Sequence, residues 1–310
     1  MPLRPEKPPI PERLKQVPLP PPRSRGYQWF EAWPMAAIHL LPLCALYTGA
    51  TTADWICCGA LYFVRMFAVT GGYHRYFSHR TFKTSRVFQF LLAFLAMSSS
   101  QRGVLWWAQK HRHHHKFSDT PWDIHSPAQQ GFFHSHLGWI YDHNEDTDLD
   151  KIRDFAKYPE LLWLNKYWAV PPTVLALVVW LALGWSGLWI GFMLSTTILW
   201  HGTFTINSLS HVFGSRRFAT EDTSRNNWLL ALITLGEGWH NNHHRHMTST
   251  RQGFYWWEID ITYMILKALS WLGIVWDLRE PTAAVLEEGR TGVPARPLNN
   301  PITPDASEAA

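Results

Sequence analysis

Charged side chains are scarce in this 310-residue chain, at 17% against the roughly 25% of an ordinary soluble domain. A purely soluble enzyme fits that poorly, and a hydrophobic share of 46% excludes a disordered chain. There are only three cysteines, Cys44, Cys57 and Cys58, all inside apolar stretches and without CxxC spacing. That excludes a disulfide scaffold and a thiolate metal site, and leaves them as small buried hydrophobes. No HExxH motif occurs, which counts against the zinc-protease layout, and nothing resembles a nucleic-acid module. The first 26 residues lack the apolar core of a signal peptide; they hold nine prolines and six Lys/Arg against two Glu, an extended basic tail. What the chain has in abundance is 19 Trp and 17 His. Its mean hydropathy is only −0.16, so apolar spans must carry a large polar part.

Four stretches approach the roughly 20 apolar residues that cross a bilayer. They are 33–50, 55–73, 167–184 and 187–206. The last two form one 40-residue run without Asp, Glu, Lys or Arg, divided by Gly184-Trp-Ser-Gly187, a natural turn. The first two are joined through 48–54, so the pattern predicts two helical hairpins. Neither turn contains Lys or Arg, while the basic tail precedes the first span. The positive-inside rule therefore places both termini, and the large segments 74–166 and 207–310, in the cytoplasm. The apolar stretch 87–97 is about three turns long, which suits a buried or interfacial helix. Arg65 interrupts the second span at a cost of roughly 2.5–3.5 kcal/mol, and needs a buried partner or a route to the interface. The expected organisation is a basic, Pro-rich cytoplasmic tail (1–28), a catalytic body (29–280) and a loose C-terminal tail (281–310). The fold class is all-α integral membrane, with four transmembrane helices as two hairpins and a helical cytoplasmic cap.

The histidines are clustered. They read His74-Arg-Tyr-Phe-Ser-His79, His111-Arg-His-His-His115 and His240-Asn-Asn-His-His244, with His211 in Asn207-Ser-Leu-Ser-His211. On a helix His111, His114 and His115 share a face, as do His240, His243 and His244, whereas His113 points away. Isolated histidines such as His39, His134 and His201 read as satisfied core or surface groups. A repeated HxxHH does not, and it points to metal binding. All clusters fall in the two cytoplasmic segments, which requires that 87–97 not cross. Imidazole suits zinc, copper, iron or nickel, and eight or nine histidines exceed one tetrahedral zinc; two metals is the economical count.

At these residues the chain resembles the membrane-bound fatty acyl desaturases, in particular the stearoyl-CoA (Δ9) group, as a bacterial-type member. The resemblance runs from about Trp29 to Trp276. It includes Thr70-Gly-Gly-Tyr-His-Arg-Tyr-Phe-Ser-His-Arg-Thr-Phe82, Gly131-Phe-Phe-His-Ser-His-Leu-Gly-Trp139 and Gly236-Glu-Gly-Trp-His-Asn-Asn-His-His244. It implies a di-iron (Fe2+) centre held by His74, His79, His111, His114, His115, His211, His240, His243 and His244, with Asn207 acting through water. It implies also an O2-dependent reaction that inserts a cis double bond, expected at Δ9, into a saturated acyl chain. Hydroxylases share the box plan, so an alkyl or lipid monooxygenase on the same site is the alternative. A metal transporter would instead place its ligands along a path at mid-membrane.

Trp107 and Trp139 are expected near the acyl chain, and Cys58 with Tyr62, one turn apart, at the tunnel's far end. Glu237, Asp119 and Asp123 are candidates to hold ligand rings by their second N–H. Acyl-CoA is the first carrier by resemblance, with acyl carrier protein or an intact lipid open. Two departures bear on this. An expected Arg before Gly131 is Gln130, and 142–150 is acidic where the family's animal members are basic. Lys110 and Arg112 remain near the second box. No haem or flavin fingerprint appears, so a separate electron donor is expected, a cytochrome b5-type protein or a ferredoxin with its reductase. The expected location is a bacterial plasma membrane.

Overall fold

The computed structural model describes residues 3–20, 33–142 and 146–293. Helix α1 (Trp33–Thr48) is followed by α2 (Thr52–Ser78) across a turn at Gly49. The start of α2 is fixed by a capping box: Thr51 accepts from the Asp54 N–H, and Asp54 takes the Thr51 N–H at 2.7 Å. That arrangement lets Asp54 sit at 1% exposure without an ion partner among the described residues. Next come α3 (Arg86–Met97), α4 (Val104–Phe117) and α5 (Pro159–Lys166). The 12 residues of α3 span about 18 Å, short of the ~30 Å hydrocarbon thickness.

A run from Val170 to His211 contains α6 (Val170–Ser186) and α7 (187–207). The break is Gly184, at φ 69° and ψ −158°, a conformation that suits glycine. Beyond it the chain folds back. A Cβ on Gly187 would meet Leu183 and one on Gly191 would meet Val179, so α6 and α7 are antiparallel. Gly191 also faces Cys57, and Gly202 faces Met66, so α2 and α7 run in the same direction. α2 and α7 therefore deliver their last residues to one end of the bundle. That end carries His74 and His79 from one helix and Asn207 and His211 from the other.

Thr52–Ser78 and Val170–His211 are long and apolar enough to cross a bilayer, while α1 and α3 are shorter apolar helices. Arg65 is fully buried in the bundle. Its guanidinium donates to Thr196 Oγ1 (2.7 Å), to Ser195 Oγ and to the Ser98 carbonyl, so hydroxyls and a carbonyl satisfy it. Four further helices follow: α8 (Trp228–Ile233), α9 (His240–Arg245), α10 (Ile261–Trp271) and α11 (Ala283–Thr291). A two-residue ribbon pairs β1 (Lys83–Thr84) with β2 (Val275–Trp276).

Both termini depart from expectation. The C-terminal stretch is not loose from 281. Thr282 caps α11, Gly292 ends it at φ 72°, and Glu288 pairs with Arg245 at 2.7 Å. The Pro, Gly and Ala content masked a helix with a proper start and stop. Residues 294–310 lie outside the described residues. The basic N-terminal segment is strapped onto the cap over residues 3–20. Leu14 is buried, Arg13 donates to the Lys116 carbonyl and to Glu221, and Arg4 donates to the carbonyls of Ala128 and Gln129. Proline removes backbone donors, so an extended strap holds by side-chain contacts of this kind. Residues 21–32 lie outside the described residues.

Candidate metal centre

The first histidine box sits on an irregular helix. Residues Ala68–Ser78 are π-helical, with i→i+5 bonding, and the His79 N–H bonds to the His74 carbonyl at 3.2 Å. That winding brings residues five apart together, and the rings of His74 and His79 are 4.9 Å apart. On α4, His111, His114 and His115 share one face, and Gly103 lets the helix start close to α5. There Asn165 Oδ1 accepts the N–H groups of Leu105 and Trp106. On α9, His240, His243 and His244 present likewise, and His211 follows α7 in a short 3-10 turn.

The nine histidines form two groups. His74, His79, His111, His115 and His243 offer ring nitrogens within 4.8 Å of one another, and so do His114, His211, His240 and His244. In the first group the Nε2 atoms stand 2.9–3.0 Å apart along the sequence His79, His111, His115, His243, His74. In the second, Nε2 of His211 and His240 are 3.1 Å apart. Two imidazoles bound at right angles to one metal at about 2.1 Å would place their nitrogens about 3.0 Å apart. The donor atoms are thus spaced as ligands of a first-row metal.

Electrostatics favour the same state. Burial pushes His79, His111, His115, His240 and His243 well below the ordinary imidazole range, and neighbouring rings push them further. Neutral rings keep a lone pair for a metal. Four other rings meet carboxylates through Nδ1: His74 with Glu237, His114 with Asp123 (2.9 Å), His211 with Asp119 (3.1 Å) and His244 with Asp222 (2.6 Å); at His211, burial is outweighed by Asp119, which raises the imidazole above its ordinary range. Each such contact fixes a proton on Nδ1 and turns Nε2 inward. Burial alone would raise the Asp222 carboxyl, but His244 beside it holds it well below the usual range.

Glu237 is pinned in turn by Arg75, which also bonds Asp260 and the Thr250 carbonyl. The Gly236-Glu-Gly238 sequence follows from crowding. A Cβ on Gly236 (φ 126°) would lie 2.4 Å from Asp260, and one on Gly238 2.1 Å from the Ala231 nitrogen.

A cavity opens on both groups, lined by His74, His111, His114, His240, Asn207 and Trp107 among others. Trp107 stacks on His111 at 5.0 Å and on Tyr73 at 5.2 Å. Trp139 stacks on Trp106 and neighbours His125; Tyr62 bonds the Ile233 carbonyl; Cys58 is buried in α2. None of these three lines that cavity. Arg112 is committed to structure, bonding Asp154 and the carbonyls of Phe77 and Ser78, and Gln130 bonds the Asp123 carbonyl. In the acidic stretch, Asp148 pairs with Lys151 and Asp150 with Arg153; residues 143–145 lie outside the described residues.

His113 turns away to the Trp122 carbonyl (2.9 Å), and His134 to that of Ile124. Sequence reasoning missed Asp222, 22 residues from the ring it holds, and Gln252, whose amide reaches Nδ1 of His74 and His243. It also missed His125, whose ring lies tilted 4.2 Å from that of His114 and which forms a third possible group with His114 and Asp123.

A fatty acid desaturase family model matches residues 52–270, from the start of α2 through α10. The chain belongs to the fatty acid desaturase family. Among relatives of this family, an acyl-CoA 5-desaturase of Anemone leveillei is 32% identical over 84% of this chain and 85% of its own. An sn-2 palmitoyl-lipid 9-desaturase of Nostoc sp. (strain 36) is 36% identical over 71% of this chain and 81% of its own. A hex-5-enoyl-[acyl-carrier protein] acetylenase of Moorena producens (strain JHB) is 35% identical over 72% of this chain and 75% of its own. Membership makes the chain an oxidoreductase of fatty acyl chains, and the paired histidine groups fit the metal site such an enzyme needs.

Proposed function

We propose that the chain inserts a cis double bond at the ninth carbon of a saturated fatty acyl chain, using O2, two irons and electrons from a separate donor. The observation that carries this is the pair of histidine groups, spaced for metal ligation and opening on one cavity. His74, His79, His111, His115 and His243 would hold one iron. His114, His211, His240 and His244 would hold the other, with Asn207 reaching it through water. Bound there, the metal pair supplies the O2 chemistry that an unactivated methylene demands and that acid–base groups cannot. The chain's own residues do the rest. Glu237, Asp119, Asp123 and Asp222 keep the Nδ1 protons in place, Trp107 bounds the cavity beside His111, and the buried walls exclude water. Holding one C–C pair beside the metals sets where the bond forms.

The same reading takes 33–50, 55–73, 167–184 and 187–206 as four crossings of a bacterial plasma membrane, with termini and cap in the cytoplasm. What supports it is the folding back at Gly184 and the shared direction of α2 and α7. The donor is a cytochrome b5-type protein or a ferredoxin with its reductase. For the carrier, the names of the relatives divide between acyl-CoA, lipid and acyl carrier protein, so the acyl-CoA expectation stands as one of three.

The test is the fatty-acid profile, with double-bond location by mass spectrometry, of cells expressing the chain with both donor systems, beside the His115→Ala variant. A cis-monoene at carbon nine, present only with the unaltered chain, is the expected result. An alcohol in its place would move the reaction to hydroxylation; no new product would overturn the reading.

A further inference from the structure

The cavity beside the histidines has a thin wall. Thr234 lines it, while the preceding residue, Ile233, is 41% exposed on the outside. Ile233 ends α8, whose outer face is wholly apolar: Trp228, Leu229, Leu232 and Ile233 are between 40% and 65% exposed. Leu230 and Ala231 form its buried inner face.

This element lies alongside the bundle. The Tyr62 hydroxyl, midway along α2, donates to the Ile233 carbonyl at 2.7 Å. A Cβ on Gly202 would stand 3.3 Å from Tyr62 Oη and 4.0 Å from Thr234 Cγ2. Gly202 lies before the end of the 187–206 crossing and Tyr62 before the end of 55–73, so the end of α8 meets both helices inside their crossings. Short backbone elements survive at that depth only if neighbours satisfy their polar groups. Here Tyr62 serves the Ile233 carbonyl, and the Asn227 side chain accepts the N–H groups of Leu229 and Leu230. Beyond α8 the chain turns sharply, through Leu235 (φ 55°) and Gly236 (φ 126°).

We propose that α8 is a lateral door between bilayer and metal cavity. The acyl chain of a membrane lipid enters beneath it while the lipid headgroup stays at the interface, and Tyr62 is the latch. The inference rests on the desaturase reading and names its carrier as a lipid. Its chemistry is the match between an outer face of four large apolar side chains and the hydrocarbon it would meet. Ile233, exposed on that face, is followed directly by Thr234, which lines the cavity.

The test locks the door. Gly202→Cys with Thr234→Cys, in a chain whose three native cysteines are Ser, brings two thiols within disulfide reach. Metal-free protein is placed in phosphatidylcholine vesicles containing a lipid with a mid-chain diazirine, irradiated, and its adducts mapped. Adducts on cavity residues Val69 and Thr203 in the reduced pair, reduced at least tenfold on oxidation, are expected; equal labelling in both states, or none in either, would overturn the door. If the pair does not fold, Tyr62→Phe replaces it, with cavity labelling expected to rise at least twofold; no rise would overturn the latch.

In the iron-loaded protein with donor and O2, desaturation of phosphatidylcholine should stop on oxidation and return on reduction. Persistence in the oxidised state overturns the door. Failure to form a monoene on lipid, acyl-CoA and acyl carrier protein alike, in the wild-type chain, would instead refute the desaturase reading, and the vesicle labelling would still decide the door.

Discussion

The two histidine groups are built in different ways. The five-histidine group hangs on the ends of regular elements: the π-helical end of α2, one face of α4 and the start of α9. Its carboxylate, Glu237, is locked by Arg75 inside the core. The four-histidine group draws His114, His240 and His244 from the same α4 and α9, but its carboxylates come from loops. Asp119, Asp123 and Asp222 lie on irregular segments, and Asp119 also takes the N–H and hydroxyl of Thr223 at 2.7 and 2.6 Å. The N-terminal strap covers these loops, with Arg13 joining the Lys116 carbonyl to Glu221. Helical packing holds the first site; a hydrogen-bond network and a strap hold the second. The second should therefore be the easier to loosen.

The largest expected effect breaks one group at a time. His115→Ala should abolish product and remove the metal of the five-histidine group, and His244→Ala should do the same at the other. Metal per chain, by elemental analysis, should fall from two toward one in each, and retained turnover would strike that residue from the ligand set. Next in size, Asp222→Asn should weaken metal at the four-histidine group by roughly 10–100-fold. Glu237→Gln should do so at the five-histidine group alone, as read by metal titration.

Acid separates the metal-free protein from its neutral state. His79, His111, His115, His240 and His243 are depressed when folded. Below an unfolded value of about 6.5 the unfolded chain binds more protons, so stability is lost as pH falls below that value. The melting temperature should drop steadily from pH 7.5 to 5.5, and a flat profile would contradict the buried neutral cluster. The smallest effect probes the strap. Arg13→Ala removes a half-exposed ion pair worth about 0.2–1 kcal/mol. It should lower metal affinity at the four-histidine group slightly and leave the other unchanged; equal change at both would erase the comparison.

The boxes were legible because chemistry and spacing coincide in them: HxxHH on a helix puts three rings on one face whatever surrounds it. Glu237, Asp119 and Asp123 could be nominated as neighbours of the boxes. Asp222 and Gln252 could not, since nothing local marks a carboxylate that meets His244 only through a loop. Trp107, expected near the acyl chain by resemblance, lines the cavity one turn before His111. Trp139, Tyr62 and Cys58 were chosen by resemblance or depth, and their contacts depend on how distant elements cross. The C-terminal helix was hidden by composition, although Thr282 and Gly292 mark its ends.

The apolar runs, the turn at Gly184, the three boxes and the family could be read along the chain, because all of them rest on local composition and on spacing along one helix. Packing of distant elements set which rings form each group, which acid meets His74, His114, His211 and His244, that hydroxyls and carbonyls satisfy Arg65, and that Thr234, next to α8, lines the cavity. These are contacts between residues far apart in the chain, set by how helices pack, and no local pattern records them.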